Sequence, residues 1–178
     1  LIQNEKITCL YSSLCSDFHY MKGHSGLTTP LPEIMNSVSK DNFKVMNYEN
    51  FKIGSTPSFI QQLDMLVHPN HAWWDREIST DDAEARCSAY LELQGGVADT
   101  FVLSYLSDIL PPVVQNKYGP LGWVPTLALT CNIRQLPQTN QLFIDGLAKD
   151  ISNGYFEQDC NIWDMNGNLV ATSRQLAK

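Results

Sequence analysis

The sequence predicts an α+β domain in which an antiparallel sheet wraps around one long central helix. Its 178 residues are 43% hydrophobic, which is enough apolar material for the core of one domain. The apolar stretch VADTFVLSYLSDIL, residues 97–110, is followed directly by two prolines, as is typical of a buried helix that stops there. Four strand-like segments come after it, and a single helix followed by a meander favours a sheet that packs on that helix.

The predicted helix is apolar over most of its circumference. Side chains at spacings of three and four residues form two stripes along it. The stripes comprise Val97, Phe101, Ser104, Tyr105 and Asp108 on one side, and Ala98, Val102, Leu106 and Ile109 on the other. We expect such a helix to be buried, and to end near Leu110 because proline restricts the residue before it.

Strand-like segments flank the helix on both sides. Residues 72–78 and 85–94 precede it as a first pair. The segments that follow it are 123–134, 141–151, 154–165 and 168–178. Alternation is clearest in residues 123–134, where the odd-numbered residues from Leu127 to Ile133 face one way and the even-numbered ones the other. Asn-Gly pairs at 153–154 and 166–167 predict turns, the second of them a two-residue hairpin turn.

The chain divides into three segments that differ in composition and in residue pattern. Residues 1–20 contain an alternating segment that predicts a strand, and a single strand needs a sheet that the rest of the chain does not supply. Residues 21–70 are rich in turn-forming residues, which predicts a long irregular connection with a short helix at 30–40. Residues 71–178 read as the compact α+β domain. Because the chain begins at Leu1, we expect a fragment or a processed product.

The charge balance argues against several classes of partner. Twelve basic and nineteen acidic residues give a net charge of −7, a poor match for nucleic acid or for an anionic membrane surface. No apolar run reaches the ~20 residues of a spanning helix. We therefore expect neither nucleic acid nor a membrane span. The sequence leaves the compartment unknown, although the absence of an Asn-x-Ser/Thr site favours an intracellular, cytoplasmic protein.

The sequence lacks the motifs that several kinds of catalysis and ligand binding require. The five cysteines are widely spaced and include no Cys-x-x-Cys pair, so we expect buried thiols rather than a disulfide scaffold or a metal site. No phosphate-binding loop is present, and no cofactor is expected. The segment GHSG at 23–26 lacks the final Gly of a nucleophile elbow. None of the four histidines lies in the predicted helix or in a later strand, which argues against a Ser-His or Cys-His pair there.

Asp108 is the unusual residue of the helix. It continues the stripe of Phe101 and Tyr105, just before the proline stop. A carboxylate near a helix C-terminus is disfavoured by the helix dipole, so a neutral residue would be more stable there. The sequence pattern alone is also consistent with Asp108 as an exposed residue that bonds nearby backbone. On the same basis Thr126 and Gln175 are ordinary surface residues.

A resemblance to a known family connects Asp108, Thr126 and Gln175 as one group. The segments GGVADTFVLSYLSDILPPVV, GPLGWVPTLALTCNIRQLP and GYFEQDCNIWDMNGNLVATSRQLA resemble the C-terminal repeat of thioesterase-like double-hotdog proteins, whose enzymatic members are type II acyl-CoA thioesterases. The resemblance implies that 71–178 is the C-terminal hotdog domain, the second half of a double hotdog. It also implies that 1–20 is the last strand of the preceding repeat and 21–70 the connection between repeats.

In the type II thioesterases, an Asp, a Thr and a Gln hold and activate the water that hydrolyses the thioester. Aligned motif by motif, these residues fall on Asp108, Thr126 and Gln175. The resemblance implies a hydrolase of fatty acid metabolism that cleaves an acyl-CoA or another acyl thioester, with Asp108 as the general base. The amides of Gly95 and Gly96 would polarise the carbonyl at the helix N-terminus.

One departure keeps a second hypothesis open. Where the enzymes carry Asp-His-Ser after the Thr, this chain has Ala128, Leu129 and Thr130. The alternative is a catalytically silent hotdog that binds acyl chains or serves as a scaffold subunit. Both hypotheses imply the missing N-terminal hotdog half or a partner repeat, and an oligomer.

Overall fold

Within the described residues, seven strands form one antiparallel sheet, and two further short strands pair only with each other. The computed structural model describes residues 2–3, 6–7, 9–18, 20–21, 23–46, 63–75, 81–94, 96 and 98–178. The strands are β1 (Ile2–Gln3), β2 (Lys6–Ile7), β3 (Lys44–Val45), β4 (Leu63–Val67), β5 (Arg86–Leu93), β6 (Thr126–Ile133), β7 (Gln141–Ser152), β8 (Tyr155–Asp164) and β9 (Leu169–Ala177). β1 pairs with β2, and the sheet runs β3–β4–β5–β7–β8–β9–β6.

The long helix predicted over residues 97–110 is short in the structure, and a second short helix follows the two prolines. α1 spans Thr100–Leu106 and α2 spans Val114–Tyr118. The Asp99 side chain caps α1 by accepting a hydrogen bond from the backbone N–H of Val102 at 2.8 Å. In the part of the chain that the structure describes, no helix combines the length and the apolar character needed to cross a membrane.

The predicted helix end was wrong by one turn. Beyond Leu106 the chain tightens, because the N–H of Asp108 donates to the carbonyl of Tyr105, three residues back, and Ile109 bonds in the same way. Pro111 disfavours helical geometry at the residue before it, so the last turn cannot continue as an α-helix. The carboxylate of Asp108 therefore lies on a turn just after α1 rather than inside a helix.

The helix is also less buried than its composition indicates. Leu103 and Leu106 are fully buried, whereas Phe101 is 83% exposed. The expectation of burial all round was wrong because, within the part of the chain that the structure describes, no element covers Phe101. The helix is thus buried only on the side that faces the sheet.

A row of small residues crosses the inner face of the sheet, which is the face that carries the helices. Strand register places the row in the order Cys87, Gly146, Cys160, Ser173 and Cys131. A Cβ atom on Gly146 would lie 2.7 Å from Cδ1 of Leu110, so any larger residue here would force a shift in the side chains of the turn between α1 and α2. Ser173 Oγ donates to the backbone carbonyl of Ser107 at 3.0 Å. These contacts hold the end of α1 against β9.

The long connection covers part of the outer face of the sheet. It forms 3-10 turns at Glu33–Asn36 and Lys40–Asn42, in place of the short helix expected at 30–40. Its half-buried Ile34, Met35 and Val38 belong to a second apolar cluster built on the outer face. The buried members of that cluster are Phe43, Tyr90, Phe143, Trp163 and Leu169.

A buried histidine ties this connection to the sheet. The Nε2 atom of His68 lies 2.9 Å from Ser37 Oγ, and its Nδ1 accepts from the N–H of Asn70 at 3.2 Å. Burial, followed by the charge of Arg86, lowers the pKa of His68. Since the ring sits among apolar groups and beside a cation, the neutral form is favoured.

The first strand pair differs from the prediction. β5 pairs with β4, which lies in the segment assigned to the connection, whereas the first residues of 72–78 form a 3-10 turn at Trp73–Asp75. Residues 76–80 lie outside the described residues. The sheet therefore extends before residue 71, because β3 and β4 add to its β5 edge.

The N-terminal segment is not a strand of this sheet. Residues 9–17 have no regular secondary structure, and they are exposed, including Leu10, Tyr11 and Leu14. The remainder of 1–20 includes the paired strands β1 and β2. Pairing of this segment with a repeat outside the chain remains a prediction.

The two Asn-Gly turns differ in kind. Asn153 and Gly154 both have positive φ, at 53° and 81°, as a tight hairpin turn requires. The second turn is longer than expected, because β8 ends at Asp164 and β9 begins at Leu169. The Asp164 carboxylate accepts from the backbone N–H groups of Asn166 and Asn168, at 3.0 and 2.9 Å, and so shapes the longer loop.

Candidate active site

Asp108, Thr126 and Gln175 meet at one point beside the inner face. The Nε2 atom of Gln175 donates to Asp108 Oδ1 at 3.0 Å and also to Thr126 Oγ1. Thr126 Oγ1 donates to the same oxygen of Asp108 at 3.5 Å. We refer to these three residues as the Asp-Thr-Gln triangle. The fold thus brings together the three residues that the sequence motifs single out.

The turn after α1 and the strand β9 position two members of the triangle. The backbone carbonyl of Ser107 accepts from Ser173 Oγ, which fastens the residue before Asp108 to β9. Gln175 follows Ser173 by two residues, so both side chains project from the same face of β9. The same anchor therefore sets the Asp108 carboxylate next to the Gln175 amide.

A β-bulge positions Thr126. Thr126 lies opposite Ala177, whereas Leu129 lies opposite Gln175, so the register shifts by one residue between Thr126 and Ala128. Without this shift, strict alternation would place Thr126 and Leu129 on opposite faces. The extra residue turns Thr126 to the inner face, where its hydroxyl reaches the triangle.

The environment of Asp108 shifts the pKa of its carboxyl group upward. Burial raises the pKa of Asp108, while the hydrogen bonds from Thr126 and Gln175 act in the opposite direction. The residue nevertheless stays open to solvent on one side, and Thr126 is also exposed. A carboxylate with a raised pKa takes a proton more readily, which suits a general base that water can reach.

Of the two proposed carbonyl-binding glycines, the one that the structure describes, Gly96, lies apart from the triangle. Gly95 lies outside the described residues. Gly96 is exposed and precedes α1, whereas Asp108 follows α1, so the length of the helix separates the two. A role for Gly95 and Gly96 in substrate binding stays a prediction.

The triangle offers acid–base chemistry rather than metal chemistry. It contains one carboxylate, one hydroxyl and one amide, of which only the carboxylate is an effective base near neutral pH. Among the described residues, no group of three His, Cys, Asp or Glu side chains is placed to hold a metal ion. The arrangement can therefore orient a water molecule and accept its proton.

Sequence reasoning missed the apolar surroundings of the triangle. Leu127 and Leu129 are 52% and 38% exposed on β6, and Phe101 is exposed on α1. The signal was present in the apolar odd-numbered residues of this strand, for which alternation predicts a shared face but not what covers that face. β6 is the last strand of the sheet within the described residues, and no described element covers these side chains.

Solved structures identify the class of fold. A proposed thioesterase II of Thermobifida fusca superposes with a TM-score of 0.66 at 24% identity, and a hot dog fold protein of Alicyclobacillus acidocaldarius with 0.65 at 19%. The acyl-CoA thioesterase II of Mycobacterium marinum gives 0.60 at 14%. Each match covers 88% of this chain and, in the same order, 56%, 57% and 58% of the other chain. The domain is an α+β hotdog, and it spans little more than half of these larger proteins.

The family follows from the sequence itself. A family model described as the acyl-CoA thioesterase C-terminal domain matches residues 38–177. This range contains all seven strands of the sheet, both helices and the Asp-Thr-Gln triangle. The chain therefore belongs to the acyl-CoA thioesterase C-terminal domain family.

The names of the curated relatives state no activity. Uncharacterized proteins of Mycobacterium tuberculosis and Mycobacterium bovis are 33% identical to the chain over 82 residues. The match covers 46% of this chain and 28% of each relative. The chain thus spans well under two thirds of the length of these proteins.

Proposed function

We propose that the protein hydrolyses a fatty acyl-CoA thioester with an activated water molecule. The observation that carries the proposal is the convergence of Asp108, Thr126 and Gln175 on one point, from three separate elements. Family membership supports a thioesterase-like function in general. The geometry supports the finer statement, because the triangle combines a base with two groups that can hold water.

The reaction needs no covalent nucleophile on the protein. A water molecule held by Thr126 and Gln175 attacks the carbonyl carbon of the thioester, and Asp108 takes the proton that water loses. The tetrahedral intermediate then collapses, the carbon–sulfur bond breaks and the thiolate leaves. A proton passes to the thiolate, so the products are a free acid and the thiol of CoA.

The active protein is expected to contain a second hotdog repeat. The chain covers 56–58% of the solved structures that share its fold, and its family is that of a C-terminal domain. The exposed side of the triangle lies on β6, at the end of the sheet. The missing N-terminal half, or a partner repeat, would cover this side and enclose the water.

The decisive test replaces the proposed base. Asp108→Asn keeps the shape of the side chain and its ability to accept from Gln175, but removes its basicity. In the longer protein that includes the preceding repeat, turnover of acyl-CoA should fall by about two to four orders of magnitude, with substrate binding nearly unchanged. The measurement is steady-state hydrolysis over a panel of chain lengths.

The matched control is Asp41→Asn, which removes a carboxylate from the segment that covers the outer face. This variant should keep the turnover of the wild type. Full activity in Asp108→Asn would remove Asp108 from the mechanism. A wild type that hydrolyses no acyl-CoA of any length would instead support the silent scaffold, for which Ala128, Leu129 and Thr130 beside the triangle are the sequence signal.

A further inference from the structure

Gln158 is a buried amide on the inner face of the sheet. It precedes Cys160 by two residues on β8, so the two side chains project from the same face. Gln158 is only 3% exposed, and its neighbours on that face of β8, Phe156 and Cys160, are apolar and buried. An amide in such surroundings lowers the stability of the fold unless it makes hydrogen bonds. The three residues of the triangle do not account for a polar side chain here.

The Gln158 side chain holds the far end of the turn that carries Asp108. Its Oε1 atom accepts a hydrogen bond from the backbone N–H of Val113 at 3.4 Å. Val113 directly precedes α2, where backbone N–H groups have no partner within the helix. The amide of Gln158 therefore takes the place of the missing helical carbonyl.

Gln158 stands beside Gln175, which belongs to the triangle. The register of β8 and β9 pairs the two residues directly. Neighbouring strands are ~4.8 Å apart, so the two amides rise from the inner face side by side. Gln175 donates to the Asp108 carboxylate at 3.0 Å, and Gln158 holds Val113, five residues further along the chain. Two adjacent amides thus hold the two ends of one turn.

The turn has a further anchor, and the space beneath it is filled. Ser173 Oγ donates to the carbonyl of Ser107 at 3.0 Å, which fixes the start of the turn. A Cβ atom on Gly146 would lie 3.3 Å from Gln158 Nε2, so the amide packs closely over the neighbouring strand β7. The Gln158 side chain therefore has little room to move away from the turn.

We infer that Gln158 is a positioning residue for the proposed general base, a conclusion that rests on the proposed function. It acts through the backbone at Val113, which sets the distance of the Asp108 carboxylate from Thr126 and Gln175. Without this bond the turn can lift from β8, and the hydrogen bonds to Asp108 lengthen. A hydrogen bond depends steeply on its geometry, whereas burial depends on all the surrounding elements together. A small displacement therefore weakens the bonds to Asp108 before it changes the burial of the residue.

The kinetic test removes the acceptor with little change in size. Gln158→Met in the longer protein should lower kcat for acyl-CoA by about tenfold with KM nearly unchanged, because a displacement of ~1 Å can cost ~10²-fold in rate. The matched control, Gln135→Met, removes another bond from a side chain to the backbone. Gln135 Nε2 donates to the carbonyl of Leu169 at 3.1 Å, and Gln135 follows β6 at the end away from Thr126. If Gln158→Met fails to fold, Gln158→Asn keeps an amide but withdraws the acceptor by one carbon–carbon bond, and it should show the same loss.

A titration separates this inference from the proposed function, because carbon-13 NMR of the Asp108 carboxyl group measures its pKa without turnover. The hydrogen bonds from Thr126 and Gln175 lower the pKa of Asp108, so their lengthening in Gln158→Met should raise it. The acidic limb of kcat should then move to higher pH, whereas Gln135→Met should change neither quantity. A raised pKa in Gln158→Met together with an inactive wild type would support Gln158 as the residue that holds Asp108 in place, although the proposed function failed. An unchanged or lowered pKa would overturn the inference, and the function would stand wherever the wild type hydrolyses acyl-CoA.

Discussion

The Asp108 carboxylate combines two features that seldom occur together on a surface side chain. It lies just after the C-terminus of α1, where the helix dipole disfavours a negative charge, and the surrounding protein raises its pKa. Two donors, Thr126 and Gln175, still hold its oxygen. Such a residue lowers the stability of the fold when it ionises, and this is typical of a residue kept for its chemistry.

Asp108→Asn should be more stable than the wild type at neutral pH. The pKa of Asp108 is raised in the folded chain, so protonated Asp108 contributes to the free energy of unfolding. This contribution is complete below ~3.9, the ordinary pKa of Asp, and is lost as the pH rises through the raised value. Asn cannot ionise, so its advantage should appear as the pH rises. Urea unfolding midpoints at about pH 4 and about pH 7 measure the difference.

Asp41→Asn provides the comparison, since it reports what the loss of any surface carboxylate does to this acidic chain. An Asp108→Asn variant that is less stable than the wild type at neutral pH would show that the charge contributes to the fold. The same result would contradict the assignment of Asp108 as a residue retained at a cost in stability.

At the scale of elements, the close approach of the α1–α2 turn to the sheet places the triangle. Gly146 lies beneath Leu110 and Val113, and Ser173 holds the carbonyl of Ser107. The turn that carries Asp108 is thus fastened on both of its sides. The β6 bulge then brings Thr126 to the same face.

Gly146→Ala should destabilise the domain by about 1–3 kcal/mol, as overpacking of a filled core does. The new methyl group would lie 2.7 Å from Leu110 Cδ1 and 3.3 Å from Val113 Cγ1, and both residues are buried. Chemical denaturation measures the loss, and turnover should fall with it because Leu110 follows Asp108 by two residues. Gly26→Ala is the control, since a Cβ there meets no atom within 4 Å. Equal stability of the two variants would mean that the turn is loosely packed.

For the whole molecule, the decisive feature is an apolar face left uncovered beside the triangle. β6 has a neighbouring strand on one side only within the described residues, and Leu127, Leu129 and Phe101 are exposed near it. A sheet edge of this kind pairs readily with another polypeptide. The family and the partial coverage of related structures point to a second repeat as that polypeptide.

This chain should therefore self-associate, and a protein in which the proposed second repeat covers this edge should not do so through it. Leu127→Lys places a charge on the uncovered face and should shift the chain toward monomer in sedimentation velocity. Leu10→Lys is the control, because Leu10 is 88% exposed but lies in the N-terminal segment. A chain that stays monomeric at high concentration would contradict the prediction.

The local pattern of the sequence is sufficient for most of the sheet. Alternation and the Asn153-Gly154 turn predict the segments of β6 to β9 closely, since these features depend on residues that are near each other in the chain. The three residues of the triangle could be singled out only through the family motifs. Composition and spacing alone leave Thr126 and Gln175 as ordinary surface residues.

Tertiary structure decided what depends on distant contacts. Periodicity cannot reveal that α1 ends at Leu106, that β4 rather than residues 72–78 pairs with β5, or that Phe101 faces solvent. Each outcome depends on which surface a segment meets, and that surface comes from elsewhere in the chain. The bulge that turns Thr126 toward Gln175 is of the same kind, because it exists only as a register between two strands. The sequence by itself therefore determined the fold class and the candidate residues, whereas packing of remote segments determined how those residues meet.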